Sequence, residues 1–143
     1  MFNLYIFFSL YKIYTLYKNK MGCENIIKLF FHMTSTIKLY HWQTTSFPRH
    51  KATCELHTSL QDLADQFIEV YMGRYQRPNF PQGFKLQIKE LSDQSAPDVL
   101  LQYIDFLKNE LPTYLNPNDS DLLNIRDEML SNLNKTLYLF TLS

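Results

Sequence analysis

From Gly22 to about Thr44 apolar side chains recur every three or four positions, at Ile26, Leu29, Phe30, Met33, Ile37 and Tyr40. At about 100° per residue they fall on one stripe, so the spacing predicts an amphipathic helix. "TTSFPRH" interrupts it, because Pro48 disfavours helical backbone at Phe47 yet suits the opening turn of a new helix, with Ser46 as its cap. A second stripe of Leu56, Leu60, Leu63, Phe67 and Val70 predicts a helix from about Pro48 to Met72, stopped at Gly73. "RYQRPNFPQGF" reads as a connector, since Pro78 and Pro81 exclude regular helix. Lys85 to Asp93 is either a short helix or loop. A third helix starts at Pro97 and turns Val99, Leu100, Ile104, Leu107 and Leu111 inward. Pro112 and Pro117 bracket the next connection. A fourth helix, capped by Asp119 or Ser120, presents Leu122, Ile125, Met129, Leu133 and Leu137. With no strand-type alternation and no repeat, the pattern predicts an all-α four-helix bundle. Its connection between helices two and three is the longer one, as two hairpins side by side require.

Composition narrows the function. At 143 residues the chain holds one core. Three glycines and no Gly-rich loop argue against a phosphate cradle. The formal net charge is zero, and residues 1–20 contain Lys12, Lys18 and Lys20 but no acid, which leaves the remainder at −3. A mildly acidic body is a poor match for nucleic acid. Two cysteines, Cys23 and Cys54, form neither a CxxC pair nor a disulfide framework, consistent with a reducing compartment. The opening "MFNLYIFFSLYKIYTLYKNK" lacks a basic start and a small-residue cleavage site, so secretion is not expected and a cytoplasmic setting, in a host cell or virion, is. It is also too short and interrupted for a membrane span. Three readings stand: an interfacial anchor helix, an amphipathic helix packed on the body, or an upstream extension with Met21 the true start. Residues 1–20 are therefore separated from a bundle over 21–143, and membrane contact is expected only if 1–20 is translated and exposed.

The segment "LYHWQTTSFPRHKATCELH" changes the picture. It contains three of the four histidines, the only tryptophan and one cysteine. On the second helix His50, Cys54, His57, Gln61, Asp65 and Glu69 follow at three- and four-residue steps, roughly 120–150° from the core centre. They look outward, toward solvent or another chain. On the first helix Phe31 and Trp42 form an apolar strip away from the core, which suits a partner surface. Imidazole and carboxylate on such a surface are ligands that iron, zinc and manganese accept.

"YHWQ" at the end of a first helix, a short proline-containing loop and "RHKATCELH…LADQFIEV" on a second resemble the Dps class of mini-ferritins. "LYHWQTTS", "VYMGRYQRP" and "DLLNIRDEML" are also similar to small ferritin-like proteins of large DNA viruses and phages, over about Met21 to Ser143. The resemblance implies a ferritin-like bundle and a homodimer, or a larger assembly, that binds iron or another divalent metal between subunits. It implies His41 and His50 as ligands from one chain and Asp65 and Glu69 from its partner. Cys54 stands where the class has a carboxylate, so it is an altered ligand and any enzyme activity is at most ferroxidase-like. The alternative is a structural or interaction module with a degenerate site, associating through Phe31 and Trp42.

Taken one by one, several of these residues have plainer readings. His41 beside Trp42 can be a helix-end packing pair, and His50 can bond to neighbouring backbone. Asp65 and Glu69 can form a solvated face, Cys54 can be a half-buried filler, and His32 is expected to be solvated. Arg126, Asp127 and Glu128 read as a surface charge cluster.

Overall fold

The computed structural model describes residues 4–142, with side chains from Gly22 onward. Four helices, α1 (Leu4–Gln43), α2 (Phe47–Arg74), α3 (Ala96–Asp105) and α4 (Ser120–Phe140), make up a helical bundle with no strand among the described residues. α2 packs against both α4 and α1, and α3 lies on α4. Across the α1/α2 contact the rings of Phe30 and Phe67 meet edge to face at 5.4 Å. The core is continuous and mixes aliphatic with aromatic side chains, with Ile26, Met33, Leu60, Phe67, Leu107, Leu122, Met129 and Leu133 fully buried. No helix among the described residues is long and apolar enough to cross a membrane.

α1 is longer than the stripe suggests. Its backbone stays helical from Leu4 through the point where the apolar pattern begins. How the side chains of residues 1–20 pack, on which the three readings of that segment turn, lies outside the described residues. Gly22 is already inside the fold: a Cβ there would lie 2.8 Å from the Cβ, Cγ and Cδ1 of Tyr114. α2 begins as its punctuation predicts, with the Ser46 hydroxyl accepting from the Arg49 amide and Pro48 in the first turn. It does not stop at a left-handed Gly73. Gly83 (φ 66°) is the glycine with positive φ, in the turn where its amide donates to the Phe80 carbonyl. The end of α2 is tied by tertiary bonds instead. Arg74 reaches Asp121 at 2.9 Å and Asp119 at 3.4 Å, and the Tyr75 hydroxyl donates to buried Asp119.

The third helix is not one uninterrupted unit. α3 passes at Phe106–Glu110 into a wider π turn and at Leu111–Tyr114 into a 3-10 turn, where Pro112 cannot supply an amide for regular helix. Of the expected core positions, Leu29, Val70, Val99 and Leu137 are only partly buried, while Tyr71, Tyr103 and Phe140 join the core. Lys85 to Asp93 is irregular, and it crosses the bundle as part of the long connection between α2 and α3.

Candidate functional site

The joint between α1 and α2 brings two predicted residues together. His41 is buried at 6 % exposure in the last turn of α1, and His50 is exposed in the first turns of α2. Their rings stack with centroids 3.9 Å apart and planes 19° from parallel. Each ring reaches the other residue's backbone: His41 Nδ1 lies 2.8 Å from the His50 carbonyl, and His50 Nδ1 lies 2.8 Å from the His41 carbonyl. A carbonyl only accepts, so both Nδ1 atoms carry the hydrogen and donate it. In each ring Nε2 is thus the nitrogen left over, the one a metal-binding histidine offers when its other nitrogen is held by a carbonyl.

His41 Nε2 has no hydrogen-bond partner among the described residues and is not among the buried unsatisfied atoms, so it still reaches solvent. Burial lowers the His41 pKa from its ordinary value; the bond to the His50 carbonyl opposes this, and the nearby His50 ring and Lys38 ammonium add to the lowering. That keeps the ring neutral near pH 7. His57, half-buried two turns along α2, is lowered by burial and by Lys38 and His41. Lys38 itself lies over the Trp42 ring at 5.6 Å.

Helix geometry explains why the other predicted ligands are not at this joint. Fifteen residues separate His50 from Asp65, about 22 Å along α2 at 1.5 Å per residue. Glu69 is one turn further. Both carboxylates are exposed, on the same outward face as His50, Cys54 and Gln61. Asp65 lines a groove of about 530 Å³ between α1 and α2, with Asp62 beside it and Phe30, Phe31 and Ile68 as apolar walls. Among the described residues no three His, Cys, Asp or Glu side chains gather to hold an ion. One chain thus presents two imidazole nitrogens at one end of α2 and two carboxylates at the other.

Two plainer expectations are corrected. Cys54 is an exposed free thiol, not a packed filler, because it lies on the outward stripe one turn beyond His50. His32 is only half-exposed, and both of its ring nitrogens are engaged. Its Nε2 donates to the Gln87 carbonyl at 3.1 Å, so its Nδ1 accepts from the Tyr103 hydroxyl at 2.9 Å. The periodicity of α1 could not reveal those partners, which arrive from the long connection and from α3. In the Arg126, Asp127 and Glu128 cluster, Arg126 pairs with neighbouring Asp127 at 2.7 Å and donates to the Leu107 carbonyl.

Phe31 (53 % exposed), Trp42 (68 %) and Phe47 (70 %) leave large apolar surface uncovered on the α1/α2 side. Phe47 belongs to neither apolar stripe, so the helical spacing does not mark it as surface.

No curated protein and no solved structure matches this chain. One family model does, over residues 41–140, from the buried imidazole of α1 to the last residue of α4. The chain belongs to DUF5856, a family of unknown function.

Proposed function

We propose that the protein is a ferritin-like, Dps-like homodimer that binds iron or another divalent metal between its two chains. His41 and His50 of one chain supply nitrogen, and the partner's Asp65 and Glu69 supply oxygen. The observation that carries this reading is the reciprocal bonding of the two imidazoles, which fixes both tautomers with Nε2 free. Two-fold symmetry supplies the rest. If two α2 helices pair antiparallel about an axis at exposed Thr58, His50 of one chain meets position 66 of the other, between Asp65 and Glu69. Such a pairing would form two equivalent sites. A bound iron would supply one-electron chemistry toward oxygen or peroxide. The chain's own part is to hold the imidazoles and carboxylates where two copies can bring them together. Such a protein fits the viral or phage setting that the sequence resemblance implies.

The second reading, an interaction module without metal, is favoured by Cys54 at the place of a bridging carboxylate. Two measurements separate them. Metal content and Fe(II) titration under anaerobic conditions should give about one ion per chain, and near zero after His41→Ala or His50→Ala. Thr58→Cys in a Cys54→Ser background should form a disulfide-linked dimer under mild oxidation. Equal, near-zero metal in all three proteins leaves only the module. A strict monomer with no crosslink removes the shared site altogether.

A further inference from the structure

A second recess lies away from the imidazole joint, between α1, α3 and the crossing connection. Its volume is about 480 Å³, within the range of small-molecule sites. Tyr103 and His32 form its back wall, and they are pinned: the phenol donates to His32 Nδ1 while Nε2 donates to the Gln87 carbonyl. Burial of Tyr103 raises its pKa to about 12, so the phenol stays protonated and the wall carries no negative charge. The recess is thus braced by hydrogen bonds linking all three segments that surround it.

Thr36 is the unusual member of the lining. It is 2 % exposed, and its hydroxyl meets no partner in hydrogen-bond geometry, although it lies near enough to the Tyr103 phenol to oppose the rise that burial causes there. A buried hydroxyl without a partner has lost its bond to water unrepaid, and a ligand that accepts from it would restore that bond. Lys85 and Lys89 come from the crossing connection. Neither makes an ion pair among the described residues, and no carboxylate lines the recess. Leu86, Leu91 and Val99 complete it with apolar surface. The recess therefore offers two cations, a hydroxyl donor and an apolar wall together.

We propose that this recess binds a small amphipathic anion, with its carboxylate or sulfonate between Lys85 and Lys89 and the Thr36 hydroxyl, and its apolar body against Leu86, Leu91 and Val99. The site is independent of the imidazole joint. An acid of aliphatic or aromatic character matches every group present, whereas a bare inorganic anion leaves the apolar wall unfilled and an amine meets two like charges.

The test uses the full chain and 8-anilinonaphthalene-1-sulfonate as fluorescent probe, with octanoate, octylamine and inorganic phosphate as competitors. One saturable site per chain is expected, displaced by octanoate but not by octylamine or phosphate. The surface double variant Lys85→Gln/Lys89→Gln should weaken the probe about tenfold, and Thr36→Val about threefold or more. Both should keep the wild-type circular dichroism and leave Fe(II) titration unaffected. Probe affinity unchanged in both variants overturns the proposal, as does displacement by octylamine equal to that by octanoate. Displacement by phosphate alone as effective as by octanoate overturns the amphipathic part. Should Thr36→Val fail to fold, the lysine double variant decides alone.

Discussion

Replacing His41 and His50 singly and together tests whether the two rings act as one unit. His50→Ala removes one hydrogen bond to the His41 carbonyl, about 1 kcal/mol net, and the stacked ring, another 0.5–1.5 kcal/mol or so. Because His50 is exposed, little cavity term adds, and the total is about 2 kcal/mol. His41→Ala loses the reciprocal bond and the same stack. It also empties a site that is 6 % exposed, so it should cost about 3 kcal/mol. If the rings did not interact, the double variant would lose the sum, about 5 kcal/mol. The stack is common to both single losses, so the double variant should lose only about 4 kcal/mol, a coupling of about 1 kcal/mol. Urea unfolding followed by circular dichroism, at pH 7.5 with a chelator present, reads all four proteins without metal. Additivity within about 0.3 kcal/mol would refute the picture of two mutually held imidazoles, and with it the case for a preset half-site.

Acid should loosen the same joint: His41 and His57 have lowered pKa values in the folded chain, so their contribution is complete above the ordinary value of 6.5 and is lost as pH falls through the folded values. The urea midpoint should therefore drop between pH 7.5 and 5, and His57→Gln should flatten that dependence; an unchanged slope counts against it. Gly22→Ala should destabilise by roughly 1–3 kcal/mol despite the better helix propensity of alanine, because the new Cβ meets Tyr114 at 2.8 Å. Thermal melts would show a stabilised variant if that contact could relax. Tyr75→Phe should cost about 1–2 kcal/mol, since buried Asp119 keeps the Asn116 amide and Arg74 but loses the phenol. Trp42→Ala should weaken self-association by about tenfold or more in sedimentation while leaving the melting temperature nearly unchanged.

The apolar spacing by itself determined four helices, the α1/α2 joint at Pro48 and most of the core, because a period of 3.6 residues maps directly onto a buried stripe. It also determined that His50, Cys54, Asp65 and Glu69 share the outer face of α2, since that follows from the same period. What the sequence could not carry was anything made by residues distant along the chain. The spacing puts the end of α2 at Gly73, yet Asp119 and Asp121 hold it, 44 to 47 residues away. His32 looked solvated on its own helix, and Tyr103 and the Gln87 carbonyl cover it from elsewhere. The reciprocal bonds of His41 and His50 needed the angle at which two helices leave a short joint. Local periodicity fixes which face a side chain occupies, but only the packed chain decides what that face meets.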